Sequence, residues 1–166
     1  MPRELSVPWY RRFAFALTGN ALVRGFIGPR IFAPADRWIQ ARSHGRLGLA
    51  VGSGATSVLL TTTGRSSGLP RSVALVAAPV PGGGLAVVGS NWGRDRHPEW
   101  SENLLVDPLA RVDTAGRNFD VRARLCAHEE RAALWPELVR VMPMWGRYEH
   151  VTDRELRVFV LDPVDV

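Results

Sequence analysis

The chain has 166 residues, 46% of them apolar and 22% charged, which suits one domain with its own hydrophobic core and calls for no second one. Its 21 Lys plus Arg against 16 Asp plus Glu give a net charge of +5, carried by arginine, the residue that grips planar or phosphorylated anions in bidentate fashion. An acidic small ligand fits that balance; nucleic acid does not, because the arginines are scattered with no dense basic run or aromatic-interleaved RNA motif.

Residues 8–32 mix aromatic and aliphatic side chains, among them Trp9, Tyr10, Phe13, Phe26 and Phe32, with Arg11, Arg12, Arg24 and Arg30. They read as a basic, apolar helix broken around Gly28-Pro29, which either covers the domain's own core or lies on an anionic membrane surface. The stretch from Phe13 to Val23 is interrupted by Thr18, Gly19 and Asn20 and is too short to cross a bilayer. No small-residue cleavage site follows it, so cytoplasmic residence is expected, with peripheral membrane contact through residues 8–32 as an option. A further short helix is expected over Ala35–Ser43. Residues 1–44 thus form a helical basic-apolar segment and residues 45–166 the folded domain.

Gly52-Ser53-Gly54 superficially matches a dinucleotide-binding glycine loop, but that motif opens a helix, and here a β-branched run comes next. Thr56, Val58, Thr61, Thr62 and Thr63, with Leu59 and Leu60, predict a strand over 56–63. It runs into Gly64-Arg65-Ser66-Ser67-Gly68-Leu69-Pro70-Arg71, and Ser72–Ala78 predicts a returning strand. Two arginines, two hydroxyls and several free backbone N–H groups at such a turn make a small anion-binding corner, suited to phosphate or carboxylate. The plainer reading is a hairpin turn kept polar for solubility. Gly64–Gly68 also fits the G-x-S-x-G nucleophile elbow, but that elbow needs a helix after the serine, and Pro70 with the following strand denies it one.

Pro81–Gly84 is a turn, and Leu85–Gly89 predicts a third strand. Ser90-Asn91-Trp92-Gly93-Arg94-Asp95-Arg96 is a polar loop leading to His97-Pro98-Glu99-Trp100, with Pro98 placed to start a helix that runs to about Val106. A helix start offers unpaired N–H groups and a positive dipole end, so the loop and His97 can flank an anion or an aromatic ring system. Taken singly, His97 reads as structural and Trp100 as core. Ala110–Thr114 and Asn118–Ala127 alternate around Gly116 as a hairpin. His128–Met142 carries Leu134, Leu138 and Val141 at helical spacing and ends at Pro143; Met144–Tyr148 reads as an aromatic loop and Val158–Leu161 as the last strand. The one cysteine, Cys126, has no internal disulfide partner and reads as a small buried hydrophobe. No metal-ligand spacing and no Walker-type loop is present.

Three blocks in this order carry a resemblance: Leu59–Gly68 with Pro70 and Arg71; Ser90–Gly93 with His97, Pro98, Trp100, Asn103 and Leu104; and Glu129–Arg131 with Trp135-Pro136. Together they resemble the deazaflavin (F-420)-dependent nitroreductase family, the split β-barrel oxidoreductases of actinobacteria. The resemblance spans about residues 45–163 and implies an α+β fold, an antiparallel FMN-binding-like barrel with flanking helices. It implies reduced 8-hydroxy-5-deazaflavin, coenzyme F-420, as cofactor, with FMN the weaker option in the same barrel. Gly64, Arg65, Ser66, Ser67, Gly68, Pro70 and Arg71 would hold its phosphate and oligoglutamate tail. Ser90, Asn91, Trp92, Gly93, His97, Pro98, Trp100 and Asn103 would frame its ring.

The coenzyme brings the hydride chemistry, and the protein supplies position, dryness and hydrogen bonds. Ser90 and Tyr148 are the implied proton-relay positions, and Met142, Trp145 and Tyr148 the implied lining of a mouth for a quinone-like, nitroaromatic or other activated acceptor. The competing role for these last three is helix-end packing. Two departures stand out. Ser66 replaces a residue that is usually basic in the family, and Met142 and Trp145 replace tyrosines of nitroimidazole-reducing members. A non-catalytic alternative remains, a lipid- or cofactor-binding split barrel at the membrane surface. The sequence leaves the physiological acceptor and the oligomeric state open.

Overall fold

The computed structural model describes residues 55–164 together with Pro34, Trp38 and Arg42. Those three positions are helical, and the Arg42 guanidinium lies 5.0 Å from the centroid of the Trp38 ring. The expected helix over 8–32 and the Gly52-Ser53-Gly54 stretch lie outside the described residues.

The strands β1 (Thr56–Thr63), β2 (Pro70–Pro79), β3 (Leu85–Val88), β4 (Leu109–Thr114), β5 (Arg117–Leu125) and β6 (Val158–Pro163) close into an antiparallel barrel. Its order around the wall is β1-β2-β3-β6-β5-β4, and β4 pairs back onto β1. Closure leaves no edge strand among these elements. Pro70 stands as the first residue of β2, opposite Thr63, a strand position where its missing N–H is tolerated. The β4–β5 hairpin turns on Ala115 and Gly116, both in the left-handed region at φ 48° and 78°, the conformation a two-residue hairpin turn demands.

Helices α1 (Glu99–Val106), α2 (His128–Val141) and α3 (Pro143–Glu149) flank the barrel. The sequence places Met144–Tyr148 in a loop; the structure makes these residues the body of α3. Pro143 does end α2, but it also opens the next helix at the first position, where a proline needs no N–H.

The alternation of β6 explains the two cores. Phe159 and Leu161 point into the barrel with Val58, Leu60, Val87, Val112 and Val121, and Trp100 and Leu104 of α1 pack against them. Val158 and Val160 face the other way, onto Leu138, Val141, Trp145 and Tyr148 of α2 and α3. A strand buried on both faces reads as an unbroken apolar run, as Val158–Leu161 does. Cys126 belongs to this outer core, and burial, with Glu130 adding to it, pushes its thiol up to about 11, which keeps it an inert apolar group.

Candidate active site

One cleft of about 830 Å³ lies between the β1–β2 turn and the loop that leads into α1. Gly64, Arg65, Ser66, Ser67 and Arg71 form one wall; Asn91, His97, Pro98, Trp100 and Asn103 form the other. The residues read separately in the sequence as an anion corner and a ring site therefore share one cavity.

The turn is held mainly by itself. Gly64 donates to the Leu69 carbonyl at 2.9 Å, Ser67 and Gly68 donate to the Gly64 carbonyl at 3.1 and 2.7 Å, and the Ser67 hydroxyl accepts from the Leu69 amide at 3.3 Å. A side chain at Gly64 would meet Ser67 Oγ at 2.7 Å, so the tight bend needs glycine there. The sequence reading assigned free amides to this corner. In the structure those of Gly64, Arg65, Ser67, Gly68 and Leu69 are all engaged within the protein.

Asn103 explains how the turn is docked. Buried in α1, it accepts from the Arg65 amide at 3.0 Å and donates to Thr62 Oγ1 at 3.0 Å, joining α1, the turn and β1. The Arg65 guanidinium meets the Glu99 carboxylate at 2.5 Å across the cleft, while exposed Arg71 has no ion pair among the described residues. Arg94, Asp95 and Arg96 also line the cavity, so its charge is mixed with a positive excess.

The second wall is built on strain. Asn91, Trp92 and Gly93 have φ of 44°, 60° and 71° in succession, a conformation that bulky side chains rarely adopt and that needs outside support. Arg154, from the segment before β6, supplies it. Its Nη1 donates to the Gly89 carbonyl at 3.0 Å, its Nη2 to the Ser90 carbonyl at 2.8 Å and its Nε to the Arg94 carbonyl at 2.8 Å. Nη1 also contacts His97 Nδ1 at 3.2 Å. From behind, a side chain at Gly93 would meet the Tyr148 ring at 2.9 Å, so glycine lets this turn rest on α3.

Nearby, Arg157 donates to Glu102 at 2.7 Å, and that bond holds the Glu102 carboxyl below its usual range. Burial first, then the charges of Arg157 and Arg154, lower the pKa of His97, with Glu102 opposing.

Several expected site residues lie elsewhere. Gly68 and Pro70 line a second cavity of about 440 Å³ with Asp107, Leu109 and Arg111. Ser90, Trp92 and Gly93 are half-buried in the loop behind the cleft wall. Trp145 and Tyr148 are buried in the outer core with Met142 packed against it, Tyr148 Oη donates to Met144 Sδ at 3.5 Å, and none of the three lines the cleft. Trp100 serves both sides, lining the cavity while its ring meets Phe159 edge-on at 5.7 Å. Sequence reasoning missed Arg154 and Arg157. They sit in a charged stretch that reads as a solvated loop, and only closure of the barrel sets them against residues 89–102.

A closed antiparallel barrel with flanking helices, carrying one cleft between an arginine-bearing turn and a helix entrance, is a split β-barrel. The family described as F420H(2)-dependent quinone reductase matches residues 34–163, and the chain belongs to it. Coenzyme F-420 is therefore its cofactor. An F420H(2)-dependent quinone reductase of Mycobacterium tuberculosis is 30% identical over 123 residues, covering 72% of this chain and 81% of that protein. A solved F420-H2 dependent reductase superposes with a TM-score of 0.58 at 34% identity, over 64% of this chain and 93% of its own. A structure described as a domain-swapped dimer gives 0.60 at 30% identity, over 78% and 100%. The family match begins at residue 34, ahead of the barrel start expected at residue 45.

Proposed function

We propose that the chain reduces a quinone-like acceptor, with the coenzyme tail on the β1–β2 turn and the ring beside His97 and Trp100. The observation that carries this reading is the continuity of the cleft. A volume of about 830 Å³ lies in the range of sites that enclose a cofactor-sized guest, and its lining offers both arginines for a charged tail and Trp100 for a ring.

When bound, the reduced deazaflavin supplies the hydride. The protein's own residues do the rest. Arg65 and Arg71 meet the phosphate and carboxylates of the tail, and Ser66 and Ser67 offer hydroxyls beside them. Trp100 and Val73 give the cleft an apolar lining that would keep water from a bound ring. Ser90 does not line the cleft, so no proton-relay role is kept for it. Tyr148 is assigned instead as the support under the Asn91–Gly93 turn, and Met142 and Trp145 as packing between α2 and α3. A flat acceptor would enter from the open side of the cleft. We place the protein in the cytoplasm. Among the described residues no helix is long and apolar enough to cross a membrane, and the segment 8–32 invoked for membrane contact lies outside them.

Titrating the full chain with coenzyme F-420 while following tryptophan fluorescence tests the site. Quenching at micromolar coenzyme, with no response to FMN, is expected; quenching by FMN alone would reassign the cofactor.

A further inference from the structure

Arg154 lies outside every motif of the sequence and does not line the cleft, yet its guanidinium gathers the carbonyls of Gly89, Ser90 and Arg94 and the Nδ1 of His97. A guanidinium donates from every nitrogen and accepts from none. The 3.2 Å contact with His97 Nδ1 therefore places a lone pair on that nitrogen, and the ring proton belongs to Nε2. Protonating Nδ1 would set one N–H against another and add a positive charge beside two arginines. The groups facing His97 act in that sense. Arg154 and Arg157, from the segment before β6, disfavour the imidazolium, while Glu102 of α1 favours it and is itself engaged by Arg157 at 2.7 Å. Asp95, on the same loop as His97, partly offsets the charge of Arg154 and accepts from Thr152 Oγ1 at 3.3 Å.

We propose that Arg154 is a positioning residue that fixes His97 as a neutral imidazole with Nε2–H presented to the cleft. Donation to an acceptor atom of the bound cofactor is then built into the fold and stays constant around neutral pH. The identity of the guest rests on the cofactor reading above; the tautomer does not.

Long-range proton–nitrogen NMR on the full chain without coenzyme reads the tautomer directly. The expected result is an unprotonated Nδ1 and a protonated Nε2 at about pH 7.5, with the Nε2–H signal shifting when coenzyme F-420 is added. In Arg154→Met the two tautomers mix and the His97 titration midpoint rises toward about 6.5. Gln can place an amide N–H near the position of Nε2, so His97→Gln keeps coenzyme affinity within about threefold, whereas His97→Ala loses about tenfold. An Nδ1–H form or a tautomer mixture in the wild-type protein would overturn the inference, even if the methionine variant fails to fold. An intact Nε2–H form in a protein that binds no coenzyme would instead overturn the cleft reading and the donation that rests on it.

Discussion

The two walls of the cleft are specified in opposite ways. The turn at Gly64–Leu69 is closed by its own amides and hydroxyl and anchored by one distant residue, Asn103. The Asn91–Gly93 turn carries three successive positive φ angles and is held by Arg154, about sixty residues further along the chain. A wall of the first kind is coded where it stands. A wall of the second kind exists only once the barrel has closed and β6 has brought its leading segment alongside.

The largest effect is expected at the strained wall. Arg154→Ala leaves the carbonyls of Gly89, Ser90 and Arg94 without their charged donor and removes the restraint on the left-handed turn, so a loss of about 2–4 kcal/mol is expected in urea unfolding. If the variant matches the parent, the loop does not depend on that residue. At the self-closed wall, Asn103→Ala strips partners from the Arg65 amide and the buried Thr62 hydroxyl. About 1–3 kcal/mol is expected there by the same measurement.

Arg65→Ala should leave stability nearly unchanged, because its ion pair with Glu99 is solvent-exposed. Its coenzyme affinity should nonetheless fall by about 1.5–3 kcal/mol, more in low salt than in high. Equal affinity in mutant and parent would remove the tail from this turn. Glu99→Gln works in the reverse direction. The Glu99 carboxylate occupies Arg65, so its neutralisation should tighten coenzyme binding by a few-fold, on the order of 0.5–1 kcal/mol; weaker binding would mean that Glu99 belongs to the binding machinery.

The smallest effect is a pH dependence. His97 has a lowered folded-state pKa, so the unfolded chain binds the extra proton first, and stability is lost as the pH falls below the unfolded value of 6.5. Denaturation midpoints measured across that range should decline in the parent and decline less in His97→Gln.

The same contrast explains what was legible in the sequence. The threonine-rich run, the glycine-bounded turn and the helix after Pro98 report their own conformations through local chemistry, and the structure has them there, with Pro98 as the extended N-cap of α1 rather than its first helical residue. The resemblance carried by the three blocks led to the barrel and to the cofactor. The aromatic loop expected at Met144–Tyr148 is a helix because Pro143 both ends one helix and begins another, a double role that a breaker signal does not distinguish. Trp145 and Tyr148 have the composition of a binding mouth, but the outward face of β6 needs apolar cover, and they provide it. Arg154 gave no signal, since a charged triplet between elements looks alike whether it faces solvent or grips a loop.

The central claim is that one cleft takes an anionic tail at the turn and a ring at the loop. Comparing the affinity of the wild-type protein for intact coenzyme F-420 with its affinity for the tailless deazaflavin riboside, beside the same comparison in Arg65→Ala/Arg71→Ala, tests it most directly. The wild type should prefer the intact coenzyme by at least about tenfold, and the double variant should bind both alike. A wild-type protein that binds the two forms equally would contradict it.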